Sequence, residues 1–225
     1  MMLYKLVSRL RRDLFDCEVI SLKANGVIGS QIQASGVPVW TLGMHHGVAN
    51  SLAFARLARH LRQNPPDLIQ TWMYHSDLIG GLAAKLAGRI PVVWGLRNGT
   101  EVAANKLHTR WTVWLSARLS TKLASGLVCC SEAALAAHQA IGYQVASSTI
   151  IPNGFDLEEF RPQFRARAEV RRDLGLPEDT VLIGFVGRYD PQKDLATFFA
   201  AAELLHKQFT DVHFVLCGNG ITWEN

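Results

Sequence analysis

Short, almost uninterrupted apolar runs alternate with segments of helical period along the whole chain, and this alternation constrains the fold more than any other feature. Cys17–Leu22, Val37–Leu42, Leu68–Trp72, Pro91–Leu96 and Gly126–Cys130 read as strands, and Ile28–Ala34, Ser51–Gln63, Asp77–Ala87, Lys106–Leu123 and Glu132–Ile141 as helices. A strand that is apolar on both faces needs cover on both faces, and a parallel neighbour is reached only through a long crossover, usually a helix. The pattern therefore predicts an α/β fold, a parallel sheet with helices on either side. Ahead of the first strand, Leu3, Leu6, Val7, Leu10 and Leu14 recur at helical spacing with Lys5, Arg9, Arg11 and Arg12 between them, which predicts an opening helix with a basic outer face.

A second βα series follows the turn Ile151-Pro152-Asn153-Gly154. Arg165–Leu174 reads as a helix stopped by Gly175 and Pro177, Val181–Val186 as a buried strand, Leu195–Phe209 as a helix and Val212–Cys217 as a further strand. The expected division is a Rossmann-like domain over residues 1–150 and a second domain over 151–225. Two parallel strands with one crossover leave exposed edges and close a poor core.

Composition removes several classes. With 48% hydrophobic and 19% charged residues the chain can bury a sizeable core, which excludes disorder. No apolar run reaches the ~18 residues that span a bilayer. A net charge of +4 suits phosphorylated ligands or an anionic membrane surface and is too weak to argue for nucleic acid. Cys17, Cys129, Cys130 and Cys217 sit in strand-like stretches with no C-x-x-C pair, so neither a disulfide scaffold nor a thiolate metal site is expected. The N-terminus lacks the uninterrupted apolar core of a secretory signal, and the expected location is cytoplasmic.

The most chemistry-laden segment is Gly184-Phe185-Val186-Gly187-Arg188-Tyr189-Asp190-Pro191-Gln192-Lys193. A buried strand ends in Gly187-Arg188, Pro191 starts the next helix, and Lys193 falls in its first turn. Ligands of open α/β sheets bind beyond the carboxyl ends of strands, where free helix N–H groups favour anions, so two cations there would grip a diphosphate. Pro191 serves equally as a plain helix start, with Arg188 and Lys193 as ordinary surface cations.

Pro152-Asn153-Gly154-Phe155-Asp156, Phe160-Arg161-Pro162, Val186-Gly187-Arg188, Lys193-Asp194 and Cys217-Gly218-Asn219-Gly220 stand in this order and spacing. Together they resemble the motifs of the family 4 glycosyltransferases, enzymes of two Rossmann-like domains with the GT-B architecture. Gly36-Val37-Pro38-Val39 and Pro66-Asp67-Leu68-Ile69-Gln70 are similar to strands of that family's acceptor-side domain. The resemblance implies transfer of a sugar, with retention, from a UDP- or GDP-linked donor to a saccharide or lipid-linked acceptor, without a metal ion or other cofactor. It also implies that Gly187, Arg188 and Lys193 hold the donor diphosphate, where charge builds as the glycosidic bond breaks. Cell-surface polysaccharide or glycolipid synthesis, with peripheral contact of the basic N-terminal helix at the inner face of a membrane, is the setting so implied. A solvated helix face accounts for those arginines equally well.

Three departures bear on what carries over. Relatives begin with a strand and Gly-rich loop ahead of the point where this sequence starts, and carry a pair of donor-binding glutamates downstream of where it stops. Many also place a His where Arg97-Asn98 stand here. The resemblance thus implies a chain truncated at both ends, and leaves a rival reading, a non-catalytic sugar- or nucleotide-binding protein.

His75, Arg97 and Asn98 fall at expected carboxyl ends of strands and are the acceptor-side catalytic candidates. His75 could meet a ligand or be a polar loop residue; Arg97 and Asn98 could bind a sugar hydroxyl or a phosphate, or pair with Glu101. His45-His46 has no partner at metal-ligand spacing. Cys129-Cys130-Ser131 fits core packing followed by a helix cap. Gly218-Asn219-Gly220 starts a dinucleotide fingerprint, but Trp223 occupies the place of its third glycine, so a nicotinamide-binding reading finds weak support.

Overall fold

A computed structural model describes residues 2–44, 51–99, 107–209 and 211–222. The chain divides into two compact units, Met1–Phe155 and Asp156–Asn225.

In the first unit β1 (Val19–Ser21) pairs in parallel with β2 (Val39–Thr41). A four-stranded parallel sheet runs in the order β3 (Ile69–Trp72), β4 (Val92–Leu96), β5 (Gly126–Cys129) and β6 (Ser148–Ile150). The helices are α1 (Met2–Val7), α2 (Val27–Ala34), α3 (Ser51–Gln63), α4 (Tyr74–Ala87), α5 (Leu107–Leu123) and α6 (Glu132–Ala140). The expected βα alternation is thus realised with parallel pairing throughout.

Apolar cover explains the order. Trp94 and Leu96 of β4, Leu127 of β5 and Tyr143 pack with Val113 and Ala117 of α5 in one buried cluster. Leu57 and Leu61 of α3 pack with Ile79 and Ala83 of α4 in a second, which Ile20 and Trp40 border. Ile69 of β3 and Ile90, just past α4, border both, and α4 itself gives Tyr74 and Ala84 to the first and Ile79 and Ala83 to the second, so β3 and α4 join the two halves of the core. Close backbone approach sets one position: a Cβ on Gly95 would lie 2.5 Å from the Thr71 carbonyl oxygen of β3.

Two expected helix limits shift. The opening helix stops at Val7 instead of reaching Leu14. Past it, the Arg12 guanidinium donates to the carbonyls of Ser35 and Gly36, serving the C-terminus of α2, while Arg11 pairs with Asp13. These polar partners hold the second half of the segment away from helical geometry. Helix α4 begins at Tyr74, ahead of the expected Asp77, because Met73 takes a left-handed conformation (φ 77°) and turns the chain directly out of β3.

In the second unit β7 (Val181–Val186) pairs in parallel with β8 (Val212–Cys217) along their full length. They are accompanied by α7 (Phe164–Asp173) and α8 (Leu195–Gln208). Phe198 of α8 meets Phe185 and Phe214 at ring separations of 5.4 and 6.1 Å. The expectation of a buried strand fails for β7: none of its residues is buried, and Val186 is 87% exposed. A single neighbour and one covering helix cannot bury both faces of a strand.

Candidate functional site

The carboxyl ends of β7 and β8 form one loop pair. Gly187 N donates to the Cys217 carbonyl and Tyr189 N to the Asn219 carbonyl, each at 2.9 Å. A Cβ on Gly218 would lie 1.8 Å from the Gly187 oxygen, so only glycine lets the two loops close up. Asp190 then caps a single 3-10 turn, Pro191–Lys193: its Oδ1 accepts from Gln192 N at 3.0 Å and its Oδ2 from Arg188 Nε at 2.8 Å. The Gln192 amide, and after it the Arg188 guanidinium, hold this carboxyl below the usual carboxylate range.

Arg188 is thereby oriented through Nε, and its terminal nitrogens have no protein partner among the described residues. The Lys193 stem passes beside Gly187, 3.7 Å from where a Cβ would stand. Both expected diphosphate cations therefore sit with Gly187 on one exposed edge. Pro191 starts a separate 3-10 turn that holds Lys193, two residues ahead of Leu195, the first residue of α8, and so outside the first turn of that helix. Asp194 separates them in a left-handed conformation (φ 46°, ψ 54°) and caps α8 through Thr197 N. Glycine is the usual occupant of such a conformation; a short carboxylate that bonds its own neighbourhood is the common substitute.

In the first unit, parallel register aligns the ends of β3, β4, β5 and β6. Arg97 follows β4, with its guanidinium 4.5 Å from the Trp72 ring centre. Its Nη1 lies 3.3 Å from the Ile151 carbonyl and 3.4 Å from Asn153 Oδ1. Asn98 Nδ2 donates to Met73 Sδ at 3.5 Å. His75 stands in the first turn of α4, its ring 5.9 Å from that of His108. Its Nε2 is buried with no hydrogen-bond partner among the described residues, and burial, then His108 and Lys23, hold the imidazole below its ordinary pKa and neutral. The structure thus gathers His75, Arg97 and Asn98 at neighbouring strand ends, with Arg97 and Asn98 engaged by the protein itself. Their alternative partner Glu101, like His45-His46 and Trp223, lies outside the described residues.

Behind this edge lies a polar couple that sequence reasoning missed. His138 is fully buried; its Nδ1 is 2.6 Å from the Ala134 carbonyl and must carry the hydrogen. Burial holds the ring neutral, so Nε2 accepts from the Tyr74 hydroxyl at 3.0 Å, which also lies 3.3 Å from the Gly99 carbonyl beyond β4. Asp77 is also fully buried, and burial pushes its carboxyl well above the usual carboxylate range. The Thr71 hydroxyl donates to Asp77 Oδ1 at 2.5 Å and lies 3.3 Å from the Val93 carbonyl. The missed signals were a lone histidine among alanines in α6 and an acid two residues past His75. Cys129 is fully buried and Ser131 caps α6 through Ala134 N, as their sequence suggested. Among the described residues, no group of three His, Cys, Asp or Glu side chains is placed to hold a metal ion.

Parallel α/β units with glycine and cations beyond the strand ends define a Rossmann-like architecture, in which the carboxyl edge of the strands is the general ligand position. A family model, Glycosyltransferase Family 4, matches residues 1–159, and the chain belongs to that family. It is 28% identical over 172 residues to an Escherichia coli UDP-Gal:alpha-D-GlcNAc-diphosphoundecaprenol alpha-1,3-galactosyltransferase, covering 73% of this chain and 43% of that protein. It is 47% identical over 73 residues to a D-inositol 3-phosphate glycosyltransferase of Thermobifida fusca, covering 31% of this chain and 16% of the relative. Anabaena HepE in complex with UDP and glucose superposes with a TM-score of 0.78 at 20% identity, over 99% of this chain and 58% of HepE. That likeness shows the GT-B fold. The chain spans less than half the length of the curated relatives it matches.

Proposed function

We propose that the chain carries the acceptor-side unit and the leading part of the donor-side unit of a retaining transferase. It would move a sugar from a UDP- or GDP-linked donor to a saccharide or lipid-linked acceptor, as in cell-surface polysaccharide or glycolipid synthesis at the cytoplasmic face of a membrane. The observation that carries the reading is the β7–β8 edge, where Gly187 leaves room, Asp190 aims Arg188, and Lys193 lies alongside. As the bond from sugar to diphosphate breaks, negative charge accumulates on the departing phosphate. Cations already fixed there stabilise that charge without reorganising.

His75, whose Nε2 has no partner among the described residues, is the acceptor-side group in this reading. Arg97 and Asn98 shape the edge around it, through Trp72 and Asn153 and through Met73 respectively. Calorimetric titration of UDP tests the donor assignment. Arg188→Ala with Lys193→Ala is expected to weaken UDP binding by roughly a hundredfold, since two charge-assisted contacts are lost. Unchanged affinity would sink it, and binding of NADH in place of UDP would move the chain to the nicotinamide class. Retained UDP binding with no turnover on any acceptor would favour the rival, a binding protein that occupies less than half the length of its relatives.

A further inference from the structure

We propose that the outward face of α5, together with the basic groove beside it, docks on an anionic lipid bilayer. A surface helix ordinarily turns its largest apolar side chains to the core. Helix α5 does the reverse. Its buried side is Val113, Ser116, Ala117, Ser120 and Leu123. Leu107 is 74% exposed, Trp111 67% and Trp114 48%, and Leu115 is exposed beside them. Positions 107, 111, 114, 118 and 122 recur at helical spacing and share one face.

The helix is not free to roll these residues inward. Ser120 Oγ donates to the Ala117 carbonyl at 2.8 Å and accepts from Gln144 N at 2.9 Å, and Leu123 lies against Gly81, which fixes the rotation.

The exposed aromatics are ordered as an interface would use them. Trp111 and Trp114 meet edge to face at 5.6 Å, and the Arg118 guanidinium stands 4.9 Å over the Trp114 ring. Indole and guanidinium combine an apolar body with a polar tip, the chemistry suited to the boundary between acyl chains and head groups. No acidic residue occurs between Leu107 and Leu123, while Arg110, Arg118 and Lys122 do. Lys122 also borders a groove of about 370 Å³ between α4 and α5, where Lys85 and Arg89 join it. Among the described residues none of these three cations has an acidic partner. The groove offers phosphate head groups a basic seat that shares Lys122 with the tryptophan-bearing face of α5.

Charge selects the occupant. A second copy placed symmetrically on this face would set Arg118 and Lys122 against themselves, whereas an anionic bilayer satisfies the apolar stripe and the cations together. The N-terminal arginines are a poorer anchor, since Arg11 and Arg12 are bound to Asp13 and to the end of α2. His108, in the first turn of α5, stands beside His75, so docking would bring the bilayer to the acceptor-side edge. The inference rests on the transferase reading only for its purpose, a lipid-linked acceptor. Vesicle binding needs no turnover, so it can fail while UDP binding stands, and the reverse.

The test is co-sedimentation of the full chain with phosphatidylcholine vesicles, with and without about a third phosphatidylglycerol. Binding is expected on the anionic vesicles, with tryptophan emission quenched by brominated acyl chains. Trp111→Ser with Trp114→Ser should lower the partition coefficient at least tenfold. Gln at Lys85, Arg89 and Lys122 should lower it by about fivefold for each cation removed. Leu52→Ser, an exposed residue on α3, should leave it unchanged. Equal binding by wild type and the tryptophan variant would overturn the proposal, as would loss of a dimer in sedimentation on the same substitution. So would wild-type Trp111 and Trp114 already shielded from acrylamide in the absence of lipid. Because these side chains are exposed, the variants should keep the wild-type unfolding midpoint, and lipid quenching of the wild type supplies a readout that needs no variant.

Discussion

Strands β4 and β7 read alike in sequence, Val-Val-Trp-Gly-Leu and Val-Leu-Ile-Gly-Phe-Val, yet they meet opposite environments. In β4, Val92, Trp94, Gly95 and Leu96 are buried; in β7 no residue is. The difference lies in neighbours. Strand β4 has β3 on one edge and β5 on the other, with α4 and α5 packed around it, whereas β7 has β8 and the aromatic face of α8. An apolar strand states a demand for cover, and the elements around it decide whether the demand is met.

The comparison breaks most visibly at its largest side chains. Trp94→Ala is expected to cost about 3–5 kcal/mol in urea unfolding, as for other large-to-small changes in a closed core. Phe185→Ala in β7 should cost under about 1.5 kcal/mol, because the ring is only half-buried, against Phe198. Equal losses would mean that β7 is covered as thoroughly as β4.

The glycine each strand carries at the same place sharpens the contrast. Gly95→Ala drives a methyl to 2.5 Å from the Thr71 oxygen and should destabilise by about 1–3 kcal/mol. Gly184→Ala meets no atom within 4 Å and should change stability by less than about 0.5 kcal/mol. Thermal unfolding of the pair of variants separates the two cases.

Titration probes the closed core of the first unit next. Asp77 holds its proton more tightly folded than unfolded, so its contribution is complete below about pH 4 and is lost as pH rises, at no more than ~1.4 kcal/mol per pH unit. His138 and His75 work in the opposite sense: each is held neutral, so stability is present above about pH 6.5 and falls as they are forced to charge in acid. Unfolding across pH 4 to 8 should show the alkaline loss flattened in Asp77→Asn, with the acid loss unaltered. An unchanged profile in that variant would mean that Asp77 is ionised in the folded state. The smallest stability effect belongs to the β7–β8 edge, where Arg188→Ala should leave the unfolding midpoint in place while weakening UDP, because the side chain is exposed and its partner is solvated.

Element types and parallel pairing were legible because hydrophobic period reports them directly. Helix α3, Ser51–Gln63, runs between the limits its pattern indicates. Limits set by tertiary contacts were not. The opening helix ends early because Arg12 binds the end of α2, and α4 begins early because Met73 turns at positive φ, and neither leaves a local pattern. The Gly187, Arg188 and Lys193 motif located a cation-bearing edge, but the role of Asp190 in aiming Arg188 left no mark in the sequence pattern. Tyr74 and His138 were invisible because their bond spans 64 positions in sequence.

The Asp77–Thr71 hydrogen bond also ties the history of two codons together. Replacing Thr71 by valine alone removes the hydroxyl partner of a fully buried carboxyl, and replacing Asp77 by leucine alone leaves the hydroxyl with the more distant Val93 carbonyl. Each single step crosses a penalty that the double step avoids, so drifting descendants of this chain should keep both residues or exchange both for apolar ones. Separate inheritance of either would mark a lineage in which this corner of the core has been rebuilt.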